Sequence, residues 1–115
     1  MKLMTQAIRK SLPPLGSTDR LPHDRIIVHA KFFTPDSSWT WYAVEFDGED
    51  TFFGLVSGFE VELGYWSLSE LESTRGPLGL PIERDLWFTP VPLTQIPEYR
   101  QWVGATQEVR QWVTT

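Results

Sequence analysis

The stretch that decides the fold is Ile26-Ile27-Val28-His29-Ala30-Lys31-Phe32-Phe33, Thr34-Pro35-Asp36-Ser37-Ser38 and Trp39-Thr40-Trp41-Tyr42-Ala43-Val44-Glu45-Phe46. β-Branched and aromatic residues dominate its two outer segments, which is typical of β-strands. The short middle segment combines proline, aspartate and serine, which favour turns. The sequence therefore predicts an antiparallel β-hairpin over residues 26–46.

The register of this hairpin predicts which of its faces is buried. If Phe33 faces Trp39, then Lys31 faces Trp41 on a face of mixed polarity. The other face is apolar except for Thr40. Its apolar members are Ile26, Val28, Ala30, Phe32, Tyr42, Val44 and Phe46. We expect this second face to form the core.

The flanking sequence extends the hairpin into an α+β fold. Strands are expected over 51–57, 59–66 and 86–88. Helices are expected over 5–12, over 68–73 behind a capping box that starts at Ser67, and over 94–101, where Pro97 should break the last one early. The sequence thus predicts one domain over 1–115. Its expected architecture is an antiparallel β meander of about four to five strands with short N-terminal, middle and C-terminal helices.

Composition excludes several function classes. The 115-residue chain has no cysteine, which removes disulfides, thiol catalysis and thiolate metal sites. Its two histidines, His23 and His29, cannot supply a histidine-rich metal site, and we expect no cofactor and no metal. A net charge of −5 opposes strong binding to nucleic acid. Without a signal peptide or an apolar run long enough to span a bilayer, a cytoplasmic protein with no membrane association is expected.

Two groups of residues are candidates for a binding site. The first is the loop from Arg75 to Asp85, in which two glycines and two prolines restrict the backbone while Leu78 and Leu80 anchor it. Its flanking charges are Arg75, Glu83, Arg84 and Asp85. The second candidate is the mixed hairpin face, which offers cationic, aromatic and titratable side chains. Its members are His29, Lys31, Trp39, Trp41 and Glu45. The structural alternative for the loop is that its charges form local ion pairs. The structural alternative for the hairpin face is that a helix covers it. No catalytic residue is nominated.

Two further patterns have functional and structural interpretations. Glu60 and Glu62 alternate along a predicted strand at a separation compatible with inverting glycosidases, but alternation is also typical of a solvent-facing strand. Near the C-terminus, Glu98-Tyr99-Arg100-Gln101-Trp102-Val103 recurs ten residues later as Glu108-Val109-Arg110-Gln111-Trp112-Val113. A homodimer formed through Trp102 and Trp112 is one interpretation of this tail. Packing of the tail on its own sheet is the other, and the pattern favours it.

Several segments together resemble a bacterial family of unknown function. These segments are Lys2-Leu3-Met4-Thr5, Leu12-Pro13-Pro14-Leu15, Phe32 to Tyr42, Phe53-Gly54-Leu55-Val56 and Gly64 to Asp85. The resemblance covers about residues 2–96, leaves the tail at 97–115 outside it, and is most specific at 64–85. It implies an accessory protein encoded on plasmids, phages and integrative elements, near antirestriction and conjugation genes. It implies no catalytic residues.

Taken together, these observations predict a non-enzymatic protein that binds another protein, encoded by the host or by the element, and that counters or regulates host defence. A small-molecule binder or small enzyme using the hairpin face is the first alternative. The second is a nucleic-acid module, which requires a patch built from Arg75, Arg84 and Arg100. A deep polar pocket, a flat apolar patch or a basic strip on the surface would distinguish the three.

Overall fold

The structure is a computed structural model that describes residues 1–104. Its strands are β1 (Ile27–Val28), β2 (Ala30–Phe33), β3 (Thr40–Phe46), β4 (Thr51–Ser57), β5 (Val61–Ser67), β6 (Glu83–Arg84) and β7 (Val91–Pro92). Its α-helices are α1 (Gln6–Ser11), α2 (Leu68–Ser73) and α3 (97–104), and 3-10 turns cover His23–Arg25 and Leu93–Gln95.

The strands form one large and one small antiparallel sheet. Strands β2 to β5 follow one another as antiparallel neighbours, and β6 pairs with the other edge of β2, in the order β5-β4-β3-β2-β6. Strands β1 and β7 form a separate pair. The predicted α+β class, with an antiparallel meander and short helices, is confirmed.

The predicted hairpin register is wrong by one residue. Phe32 lies opposite Trp41, and Lys31 lies opposite Tyr42. The turn causes this shift, because it is closed by Thr34 and Trp39. The Thr34 amide donates to the Trp39 carbonyl over 3.0 Å, and the Trp39 amide donates to Thr34 Oγ1 over 3.0 Å. A shift of one residue changes which side chains share a face. Lys31 and Trp41 therefore lie on opposite faces of the sheet.

All seven apolar residues predicted for the buried face are buried, but they are divided between two cores. The chain interrupts its strand at His29, and the pairing of β3 with β4 shifts between Ala43 and Glu45, so the alternation of side chains changes at both places. Ala30, Phe32 and Phe46 join Trp41 and Phe52 in the first core. Ile26, Val28, Tyr42 and Val44 join Leu55, Leu93 and Ile96 in the second core. The central strand β3 is thus covered on both faces.

Side-chain caps define where two of the helices begin. Thr5 Oγ1 accepts the Ile8 amide at 3.1 Å at the start of α1, and Ser67 Oγ accepts the Glu70 amide at 3.0 Å at the start of α2. Both caps agree with the sequence prediction, and α2 has the predicted bounds. These caps depend only on residues three positions apart.

The segment after residue 82 differs from the prediction in two ways. Residues 86–88 form no strand, because Asp85 starts a turn there and its Oδ1 accepts the Trp87 amide at 2.9 Å. Trp87 is 93% exposed at this turn. Pro97 does not interrupt a helix but stands at the first position of α3, where its missing amide hydrogen costs no intrahelical bond.

Candidate binding surface

The loop after α2 is a short hairpin. Arg75 and Pro81 form an isolated antiparallel bridge, and the Gly76 amide donates to the Leu80 carbonyl over 2.9 Å. The prediction that Leu78 and Leu80 anchor the loop is wrong, because both side chains are exposed, Leu78 by 81%. Without apolar anchors, the loop must be held by polar contacts.

Asp36, in the β2–β3 turn, supplies this polar anchor. Its Oδ2 accepts the Leu78 amide at 2.7 Å. Its Oδ1 lies where a side chain at position 76 would begin, since a Cβ on Gly76 would come within 1.7 Å of that oxygen. Only glycine allows this approach. The β2–β3 turn and the loop are therefore joined into one unit.

A groove opens between these two turns and has a volume of about 360 Å³. We call it the tryptophan groove; it is lined by Thr34, Ser37, Trp39, Trp41, Thr74, Arg75, Gly76 and Pro77. The indoles of Trp39 and Trp41 are stacked, with centroids 5.9 Å apart. Trp41 is buried in the first core, whereas Trp39 is half-buried at the surface. The groove thus combines an aromatic wall with Arg75, which also borders a groove of about 670 Å³ between α2 and the N-terminal segment.

A second groove, of about 210 Å³, adjoins the other side of Trp39. We call it the acidic groove; it is lined by Trp39, Val56, Gly58, Phe59, Glu60 and Glu62. Phe59 is 95% exposed and meets Trp39 edge-on at 5.3 Å between ring centroids. Gly58 permits this arrangement, since a Cβ there would lie 2.3 Å from the Trp39 ring. The aromatic surface therefore continues from Trp41 across Trp39 to Phe59.

The charges predicted to flank the loop have separate roles. The Arg84 guanidinium donates to the carbonyls of Lys2 and Leu3, over 2.5 and 3.0 Å, and so fastens the N-terminal segment to β6. Asp85 pairs with Lys31 at 3.6 Å. Glu83 is half-buried in β6 opposite Phe33. Of these four charged residues, the tryptophan groove contains only Arg75.

The residues predicted to form a site on the hairpin face also lie in different parts of the structure. Lys31 lies over the Tyr42 ring, with Nζ 5.8 Å from the centroid, on the face opposite Trp41. His29 lines a different groove, of about 380 Å³, together with Arg84 and Asp85. Burial lowers the pKa of His29, so its imidazole is neutral at pH 7. These groups form no common site with Trp39 and Trp41.

Glu45 has a structural role that sequence reasoning missed. Its side chain is 1% exposed. One carboxylate oxygen accepts the Gly16 amide at 2.8 Å, and the other accepts the Thr18 amide at 2.9 Å and the Thr18 hydroxyl. These donors come from the loop after α1, which Glu45 holds against the sheet. The pattern of alternating residues gave no signal for such a distant contact.

The C-terminal helix packs on the face of the second core. The Tyr42 hydroxyl donates to Glu98, and burial together with this carboxylate raises the pKa of Tyr42 well above its ordinary range. Trp102 lies against Tyr99 and His23, with ring centroids 5.8 and 6.2 Å apart. The first copy of the repeat thus packs on its own domain. Trp112 and the second copy lie outside the described residues, and the homodimer stays a prediction.

This placement separates the three arginines proposed for a nucleic-acid patch. Arg100 belongs to α3 on the face of the second core, whereas Arg75 borders the tryptophan groove beside the first core. The Arg84 guanidinium is engaged with backbone carbonyls. The three side chains therefore do not assemble into one basic strip.

Two functional features are absent from residues 1–104. No group of three or more His, Cys, Asp or Glu side chains in this range is arranged to hold a metal ion. No helix of the same range combines the length and apolar character needed to cross a membrane.

The chain matches the family described as protein of unknown function DUF2958 over residues 3–110. It belongs to this family. The match extends beyond the resemblance seen in the sequence, which ended near residue 96, and it includes the whole first copy of the C-terminal repeat. No curated protein and no solved structure matches the chain.

Both grooves of this DUF2958 domain lie inside the matched region. The sequence had marked Arg75, Trp39 and Trp41, but it had assigned them to two different sites. It had missed Asp36 as a part of this surface.

Proposed function

We propose that this DUF2958 domain is a non-enzymatic interaction protein that binds a protein partner across the tryptophan groove. The observation that carries the proposal is the continuous aromatic surface of Trp41, Trp39 and Phe59 beside Arg75. Tryptophan and arginine are the residues that contribute most binding energy in protein interfaces. Phe59 is exposed and Trp39 is half-buried at the surface, and apolar side chains that lie together at a surface mark an interaction site more often than isolated ones do.

The organisation of the surface supports binding at low entropic cost. The indole of Trp39 packs against Trp41 and Gly58, so its position is set before a partner arrives. The loop that carries Arg75 is held by Asp36. Little conformational entropy would therefore be lost in ordering these groups on binding, which increases the affinity obtained per contact.

Trp39→Ala is expected to reduce partner binding by about 30-fold, the effect of losing a hot-spot residue worth about 2 kcal/mol. The wild-type protein would first be used as bait in lysate from its native host, and the captured protein would be identified by mass spectrometry, purified and titrated by calorimetry. Trp87→Ala is the control, because Trp87 is an exposed tryptophan that lies outside both grooves. Equal affinity of wild type and a folded Trp39→Ala variant would contradict the proposal.

The setting proposed for this function is the one implied by the sequence resemblance. We propose that the domain acts as an accessory protein of mobile genetic elements and that its partner belongs to host defence or to its regulation. Expression in a restriction-proficient bacterial host should then raise the plating efficiency of an unmodified phage. Trp39→Ala, expressed to the same level, should not. A plating efficiency that is the same with and without the wild-type protein would contradict a role against restriction.

A further inference from the structure

The two grooves that meet at Trp39 carry opposite charges. The acidic groove presents Glu60 and Glu62, and both of these side chains are exposed. The tryptophan groove presents Arg75. Among residues 1–104, none of these three charges has an oppositely charged side chain within salt-bridge distance. The aromatic surface therefore has a negative end and a positive end, neither of which is neutralised within that range.

Arg75 retains the geometry needed to bind a carboxylate. Only its Nη1 donates within the described part of the chain, to the carbonyls of Glu72 and Thr74 over 3.1 and 2.9 Å. Within residues 1–104, its Nη2 and Nε have no hydrogen-bond acceptor, so both can donate to an external one. These two nitrogens form one edge of the guanidinium fork, which binds the two oxygens of a carboxylate in parallel.

The opposite end favours a cation. Glu60 and Glu62 flank an exposed aromatic ring, Phe59, and an aromatic ring beside carboxylates attracts ammonium and guanidinium groups. The same carboxylates repel phosphate groups, and the whole chain has a net charge of −5. This end therefore disfavours a nucleic acid or a uniformly acidic partner.

We infer that the partner segment is an extended peptide of split charge, with a Lys or Arg at one end, apolar residues in the middle and an Asp or Glu at the other end. The cation faces Glu60 and Glu62, the apolar residues cover Trp39, and the carboxylate meets Arg75. This inference rests on the proposed function, because it assumes that the tryptophan groove is the interface. Complementary charges at both ends fix the direction in which the peptide lies.

A selection from a random library of displayed 12-residue peptides, using the full-length protein, tests the inference. Peptides that bind the wild-type protein would be collected, and those that also bind the Trp39→Ala variant would be removed from this pool. The remaining sequences should place basic and acidic residues at opposite ends of an apolar centre. Sequences that depend on Trp39 but share no such separation of charge would overturn the inference and leave the proposed function intact. If no peptide depends on Trp39, the inference fails, whereas the proposed function fails only if the captured partner binds wild type and Trp39→Ala equally.

A charge reversal tests the assignment of the acidic residue to Arg75. The best selected peptide would be synthesised together with a version in which its Asp or Glu is replaced by Lys. Arg75→Glu should weaken binding of the first peptide at least tenfold and should strengthen binding of the second. Arg100→Glu is the control, because Arg100 is exposed on the other face and carries the same charge. Equal losses in both variants would overturn the pairing.

A 12-residue oligothymidylate would be titrated in parallel, since stacked tryptophans beside arginine also suit single-stranded DNA. Binding is expected to be at least 100-fold weaker than that of the selected peptide. Tight binding of the oligonucleotide that falls steeply with salt and is lost in Trp39→Ala would overturn the peptide assignment.

Discussion

Val28→Asp is expected to leave the domain unfolded at 25 °C. Val28 is completely buried in β1 and lies in the second core with Ile26 and Leu93. An aspartate there would have to ionise without a partner or remain protonated in an apolar site, at a cost of several kcal/mol. Small domains are stable by only about 5–15 kcal/mol in total. A domain near the lower end of this range is then mostly unfolded.

Far-UV circular dichroism and urea unfolding would measure the effect. Ile27→Asp is the matched control, because this neighbouring β-branched residue is only half-buried, and we expect a cost of about 1 kcal/mol there. Val28→Ala provides a milder change at the same site, with an expected cost of about 2 kcal/mol from lost apolar burial. An unchanged thermal midpoint for Val28→Asp would show that this residue does not face the second core.

Glu45→Ala is expected to destabilise the domain by about 3 kcal/mol, the second-largest effect. Removal of the carboxylate leaves the Gly16 and Thr18 amides without their acceptor, and Thr18 is itself buried. Each buried donor without a partner costs about 1–3 kcal/mol. The loop after α1 should separate from the sheet as a result.

Hydrogen exchange at Thr18 measures this loss directly, and urea unfolding gives the change in stability. Glu62→Ala removes an equally charged but exposed carboxylate and should change stability by less than about 0.5 kcal/mol. The loss of stability in Glu45→Gln, which keeps one oxygen acceptor, should lie between the losses in Glu45→Ala and Glu62→Ala. Protection at Thr18 that is identical in Glu45→Ala and wild type would contradict the role of Glu45 as the anchor of this loop.

The candidate surface illustrates why binding sites are harder to predict than strands. Trp39, Trp41 and Arg75 were each notable in the sequence, but Trp41 and Arg75 are 34 positions apart, and nothing local indicated that they share a groove. Their meeting depends on Asp36 holding the loop through the Leu78 amide. Arg84 was equally notable and has a structural role instead, because the N-terminal segment reaches its guanidinium.

The sequence by itself determined the features that depend on neighbouring residues. The meander, the central strands, the capped starts of α1 and α2 and the burial of the apolar residues in 26–46 all follow from local composition, periodicity and caps. These features arise because backbone conformation and short-range hydrogen bonds are set within a few residues.

Tertiary structure decided the pairing register, the division of the apolar residues between two cores, the role of Glu45 and the assembly of the aromatic surface. Each of these depends on contacts between segments far apart in sequence, such as Glu45 with the loop at 16–18. A single-residue shift at the Thr34–Trp39 closure was enough to place Lys31 and Trp41 on opposite faces. Side chains in a strand alternate with a period of two, so the faces cannot be assigned until the whole sheet fixes the register.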